Sequence, residues 1–287
     1  MYMTRDTSWT VNDLPWDEFD ASKVDADLLQ IVKAAALVEY NASDYAGYLK
    51  NVFAGNEVFC RNIEGWAAEE TQHGKGLGMW AERADPGFNF KAAFARYVAG
   101  YRIDVNATAS IRGSQTGELI ARCIVETGTS SYYTALADAA EEPVLKALCR
   151  QIAADELRHY KLFHSYLKTY SAQEKLGMVA RLKIGLGRVQ ESEDDELAFA
   201  FYAANMPAGT PYDRETYTSA YMARAYPLYR ADHIERMVAM VFRACGFKLP
   251  TFSRKLIRVI AQRLMRSKLK EAQGKSSFAL CEERAAA

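Results

Sequence analysis

At 287 residues, 49% apolar and 25% charged, the chain has the make-up of a soluble globular protein with one large core, or one core and an appended piece. Its formal net charge is zero, which gives no signal for nucleic acid. Its five scattered cysteines, none paired as C-x-x-C, exclude a disulfide scaffold, a zinc ribbon or a rubredoxin-like iron centre and suggest reduced thiols in the cytoplasm. No stretch is apolar for long enough to cross a bilayer, and no basic segment leading into an apolar run marks a signal peptide.

Residues 1–24 read as irregular, with Trp9, Pro15 and Trp16. A first helix is expected from about 25, capped by Asp25 or Ser22, to Phe53. The short link Ala54-Gly55-Asn56 makes the second helix its antiparallel neighbour, ending near Arg83 before the turn signal Asp85-Pro86-Gly87. A long connection follows, with an extra helix at 91–101 and a break at Gly113-Ser114. The third helix spans about 115–140, and Glu141-Glu142-Pro143 turns it directly into a fourth that ends near Tyr170. Beyond it, 171–287 reads as a helical extension with segments at 172–188, 193–206, 214–231, 232–246 and 251–272. The acidic run Glu193-Asp194-Asp195-Glu196 marks a helix start favoured by the dipole, and a frayed tail is expected from Gly274. Segment 243–275 carries ten Lys or Arg against one acid, Glu271, with Leu256, Ile257, Ile260 and Leu264 on one face. It reads as a solvated helix or as a docking face for an acidic partner.

Each of the first four helices carries an apolar stripe at spacings of three and four, and each stripe holds an acid at its middle. The first runs Leu28, Val32, Ala35, Glu39, Ala42 and on to Phe53. The second runs Phe59, Ile63, Trp66, Glu70, His73, Leu77. The third runs Leu119, Cys123, Glu126, Ser130, Tyr133, Ala137. The fourth runs Leu145, Cys149, Ile152, Glu156, His159, Phe163. Of the four histidines in the chain, His73 and His159 each follow a Glu by three residues and so share its helix face. A buried carboxylate must be paired or bound to a metal. Two Glu-x-x-His pairs plus two lone Glu residues, Glu39 and Glu126, form the donor set of a carboxylate-bridged two-metal site in a four-helix bundle. Carboxylates with two imidazoles suit iron or manganese, so two iron ions or a mixed manganese–iron pair are expected.

Residues 66–74 read W-A-A-E-E-T-Q-H-G and residues 152–159 read I-A-A-D-E-L-R-H. These resemble the soluble acyl-carrier-protein desaturases, whose segments read W-T-A-E-E-N-R-H-G and I-A-A-D-E-K-R-H. Thr71-Gln72 replaces the usual Asn-Arg, and Glu126 and Thr129 keep a Glu and a Thr of the third helix. The resemblance covers about 25–170. It implies an all-α, ferritin-like four-helix bundle with one long crossover, followed by additional C-terminal helices. It also implies that Glu39, Glu70 and His73 serve one iron, that Glu126, Glu156 and His159 serve the other, and that two of the Glu residues bridge. Glu69 and Asp155 resemble carboxylates that hold the opposite helix's histidine, a support that a metal-bound imidazole needs. Thr129 faces the same cavity, either to act there or to bond back to its own helix. Ser130 and Tyr133 are candidate lining residues, while His164 and His233 have no ligand pattern.

The function this implies is an O2-dependent di-iron oxidase, a desaturase or hydroxylase acting on an unactivated C–H bond, possibly of a carrier-bound acyl chain. It would draw electrons from an external donor, ferredoxin-like or a flavin reductase, and work as a homodimer. Amine N-oxygenation uses the same donors. Ferritin- or rubrerythrin-like iron or peroxide detoxification shares the fold, although the length and the lack of C-x-x-C pairs argue against it. A radical subunit of the ribonucleotide reductase kind would use a tyrosine near the metals, with Tyr40, Tyr133 and Tyr160 as candidates.

Overall fold

The computed structural model describes residues 9–191 and 195–286, with 275–286 as backbone only. Among the described residues every regular element is helical: α1 Ala26–Tyr40, α2 Ala42–Val52, α3 Glu57–Ala84, α4 Phe90–Gly100, α5 Gln115–Ala139, α6 Pro143–Glu174, α7 Met178–Gln190, α8 Asp195–Asn205, α9 Arg214–Ala225, α10 Ala231–Ala244 and α11 Thr251–Ala286. Side chains satisfy free N–H groups at the helix starts. Asp25, not Ser22, caps α1 by accepting from the backbone N–H of Asp27 and Leu28. Asn56 caps α3. Ser114 caps α5, directly after Gly113 turns the chain at φ 80°.

The expected continuous helix to Phe53 is instead broken at Asn41, whose ψ of 13° leaves the helical range. The stripe survives the break, with Leu28, Val32, Ala35, Glu39, Ala42, Ala46, Leu49 and Phe53 all buried. Several boundaries downstream also differ. The α6 helix runs on to Glu174 and stops where Lys175 turns left-handed at φ 51°. The helix expected over 214–231 ends at Ala225 because Pro227 cannot continue it, and a short 3-10 turn follows. In place of a frayed tail, the α11 backbone stays helical to Ala286. Glu193 and Asp194 lie outside the described residues, and α8 begins at Asp195.

Contacts along the helices fix their directions. Lys33 meets Asp85, and Lys50 meets Glu64, so the α1–α2 pair runs against α3. Asn62 meets Tyr166, and Trp80 meets Glu142, so α3 runs against α6. Thr116 meets Glu174, and Thr129 meets Glu156, so α5 runs against α6. The order is therefore up, down, down, up. The parallel step from α3 to α5 is the long connection that carries α4. The later helices cover this group, α8 packing on α1 and α10 on α5.

Two apolar clusters fill the interior. One gathers Ile31, Leu77, Leu136 and Leu148; the other gathers Phe53, Phe59, Leu119 and Phe163. Each draws on one end of the four long helices, and the acids and histidines form a polar layer between them. A further buried acid, Glu142, ties the first end together. It caps α6 through Leu145 N at 2.8 Å, accepts from Trp80 Nε1 at 2.7 Å and from Asp20 N at 3.2 Å, and is 1% exposed. Glu142→Ala removes a cap and strands an indole N–H inside the protein. It should lower stability by about 2–4 kcal/mol, read as a fall in the denaturation midpoint; an unchanged midpoint would show that water replaces the carboxylate at no cost.

Candidate metal centre

The mid-helix positions of α1, α3, α5 and α6 bring the six expected donors to one place. His73 Nδ1 lies 3.2 Å from Glu70 Oε2, 3.3 Å from Glu156 Oε1 and 3.6 Å from Glu39 Oε2. His159 Nδ1 lies 3.0 Å from Glu70 Oε1, 3.6 Å from Glu126 Oε2 and 3.9 Å from Glu156 Oε2. The donors fall into two groups that could each hold a metal ion, Glu39–Glu70–His73–Glu156 and Glu70–Glu126–Glu156–His159, with the donor atoms of each within 4.8 Å of one another. Glu70 and Glu156 belong to both groups. They are the residues placed to bridge, and Glu39 and Glu126 are placed at the two ends. All six side chains are buried.

The donor atoms fit a cation. Both carboxylate oxygens of Glu126, Oε1 of Glu156 and Nδ1 of His159 are buried without a hydrogen-bond partner. Stranded polar atoms of this kind are costly and rare, and here they converge on one centre. Charge in the metal-free cluster is divided unevenly. Burial, reinforced by Glu70 and Glu156, pushes the Glu39 carboxyl well above its usual range. Burial, with Glu156 and Glu70 adding to it, does the same to Glu126. Burial also opposes ionisation of Glu70 and Glu156, yet the imidazoles of His159 and His73 outweigh it and hold both below the usual range. Burial disfavours charge on the two histidines, and the surrounding carboxylates overcome it and raise both. Glu39, Glu126 and the two imidazoles thus hold protons more tightly than usual, and a metal binding there would compete with those protons.

Outside the donors, the two carboxylates expected beside the histidines are in place. His73 Nε2 lies 3.0 Å from Asp155 Oδ2, and His159 Nε2 lies 2.7 Å from Glu69 Oε2. Each bond leaves the Nδ1 atom facing the centre, which fixes the ring orientation a metal needs. Arg158 bonds both Asp155 and Glu69, joining the two supports. Trp9 escaped the sequence reading. Its indole donates to Asp155 Oδ2 at 2.9 Å and its ring stacks on His73, with centroids 6.0 Å apart. Gln72 donates to the Trp9 carbonyl at 2.8 Å, so a departure from the desaturase motif is what seats this tryptophan. No spacing rule connects Trp9 to the stripes; its one signal was an aromatic with a polar N–H inside an irregular segment.

Thr129 donates to Glu156 Oε2 at 2.6 Å, with the Val125 and Glu126 carbonyl oxygens both at 3.3 Å. Its single proton goes to the nearer, charged acceptor. Tyr133 donates to Glu39 Oε1 at 2.5 Å. Ser130, expected to line a cavity, instead donates to the Ala153 carbonyl and stitches α5 to α6. Of the other tyrosines, Tyr160 donates to the Met240 carbonyl and Tyr40 packs on Phe90 and Phe94. His164 stacks on Tyr160, and His233 contacts Asp138, both away from the centre.

Asp155→Asn keeps the shape and removes the charge that orients His73. It should weaken metal binding in the His73 group by about 10–100-fold, with the His159 group far less affected. Chelator competition that resolves the two steps would measure this, and equal weakening of both would mean that Asp155 acts on the cluster as a whole.

Comparison of the sequence with family models and with curated proteins finds no match, so the likeness to the desaturases rests on the motif residues themselves.

Proposed function

We propose that the chain is an O2-dependent di-iron oxidase built on a ferritin-like bundle. The observation that carries this reading is the pair of overlapping donor groups sharing Glu70 and Glu156, with unpartnered oxygens turned inward. The up, down, down, up helix order with one long crossover supports the bundle type. Two irons held there would supply the reduction of O2 by external electrons and the oxidising power to break an unactivated C–H bond. Glu70 and Glu156 would bridge, Glu39 and Glu126 would close the two ends, and the imidazoles of His73 and His159 would complete one group each. Thr129 orients Glu156, and Tyr133 orients Glu39, through the bonds already given. The two apolar clusters keep water from both ends of the layer. The chain has no C-x-x-C pair to hold a redox centre of its own, so electrons come from a separate donor, ferredoxin-like or a flavin reductase. The resemblance further suggests desaturation or hydroxylation of an acyl chain, delivered on an acidic carrier protein to a homodimer.

Anaerobic loading with ferrous iron should give about two metals per chain. Reduction and exposure to O2 in the presence of acyl-carrier-protein and free fatty substrates should then yield an oxidised product by mass spectrometry. A stoichiometry near zero ends the metal reading. Two irons with O2 consumption and no oxidised organic product would move the assignment to iron or peroxide detoxification.

A further inference from the structure

The last helix exposes the side that an ordinary surface helix buries. It packs on α9 and α10, and its inward residues include Arg258, facing Glu235, and the buried Ala272. Phe252, Leu256, Ile260 and Leu264 point the other way, with Phe252 79% and Leu264 60% exposed. Spaced four apart, they form one apolar ridge about 18 Å long, inclined to the helix axis. Lys255, Arg263, Arg266 and Lys270 are all exposed on the same outward surface, along one flank of the ridge. None of these four is paired with an acid among the described residues. An atom added at Gly246, in the α10–α11 turn, would sit 3.2 Å from Nη1 of Arg181, which lies in the first turn of α7. That turn exposes Met178 and Val179 as well.

We infer that this face docks on an anionic lipid surface, with α11 lying flat in the headgroup layer. Parallel apolar and cationic rows on one helix let the apolar row enter the acyl boundary while the cations meet lipid phosphates. A second copy fits poorly, because two-fold pairing along the ridge would bring the cations of both chains together. A folded acidic protein would satisfy the cations but would set its polar surface against four exposed apolar side chains. No helix among the described residues is long and apolar enough to cross a membrane, so the contact is peripheral. The inference concerns α11 and is independent of the metal chemistry.

The full chain should co-sediment with vesicles of phosphatidylcholine mixed with phosphatidylglycerol, and much less with phosphatidylcholine alone. Added salt should weaken the binding. Changing Lys255, Arg263, Arg266 and Lys270 to Gln should weaken it about fivefold per cation removed. Leu256→Ser together with Ile260→Ser should weaken it at least about tenfold at low salt, where a purely electrostatic contact would be untouched. These side chains are exposed, so circular dichroism should match the parent. Three results would overturn the inference: no sedimentation with anionic vesicles at low salt, binding unaffected by the apolar pair of changes, or a solution dimer that the same pair dissolves. Binding to an acidic carrier protein without binding to vesicles would assign the face to that carrier instead.

Discussion

Glu70→Ala and Glu156→Ala should each abolish binding at both metal positions, whereas Glu39→Ala and Glu126→Ala should each weaken mainly one. Glu70 and Glu156 offer an oxygen to both donor groups; Glu39 and Glu126 appear in one each. Removing a shared carboxylate leaves each group one anionic donor short, and it also removes the negative charge that lets two dications sit side by side. On the proposed function, oxygen-dependent turnover falls to background in both shared-residue variants. A second readout does not depend on turnover. Metal that binds only the folded protein raises its melting temperature, so the parent should gain stability on metal addition, the shared-residue variants should gain almost none, and the end-residue variants should gain part. The metal-free variants should remain helical, because the two apolar clusters on either side of the layer are untouched. Their stability should drop modestly, since His159 and His73 lose a carboxylate that favours their charge. Equal metal content in all four variants would mean that the shared residues do not bridge.

The division between shared and end residues was not legible in the sequence, although the convergence of the six side chains was. A donor must sit on a buried stripe at helical spacing, and an acid in the middle of such a stripe stands out against its apolar neighbours. Glu39, Glu70, Glu126 and Glu156 did so, and Glu-x-x-His added direction. Which oxygen faces which group depends on the axial offset between helices, and spacing along one helix carries no information about that. The same reasoning covers Asp155 and Glu69, readable as neighbours of the donors, and Trp9, which reaches the site through a chain segment with no period. Asn41 was missed for a different reason: the stripe continues through the break with every member still buried, so periodicity alone reports one helix. On α11 three of the four apolar residues read as one face share it, and Ile257 is half-buried instead. Leu256, Ile260 and Leu264 point outward, while half-buried residues such as Arg258 and Ala261, together with the buried Ala272, lie toward the protein.

Gly74→Ala should be among the most damaging small substitutions in the chain. A Cβ at Gly74 would lie 2.4 Å from the Tyr40 backbone nitrogen and 2.7 Å from its Cα. Neither atom can rotate aside, because both belong to the backbone at the end of α1, so the helices themselves must separate. Overpacking of this kind costs about 1–3 kcal/mol and sometimes more; with two backbone atoms in the clash the upper end is expected. The displacement would fall on the metal layer. Tyr40 follows Glu39 and Gly74 follows His73, so pushing α1 from α3 draws the end carboxylate of one donor group away from its imidazole. Metal binding by the Glu39–Glu70–His73–Glu156 group should weaken more than binding by the His159 group, which has no donor on α1. Gly65→Ala is the matched control. It lies on the same helix with nothing within 4 Å of the added atom, and replacing a glycine in an open helical position should raise stability by about 0.5–1 kcal/mol. Thermal melts of the two variants, each with and without metal, separate the outcomes. If Gly74→Ala melts with the parent and binds metal as tightly, α1 and α3 are not held together by this close approach.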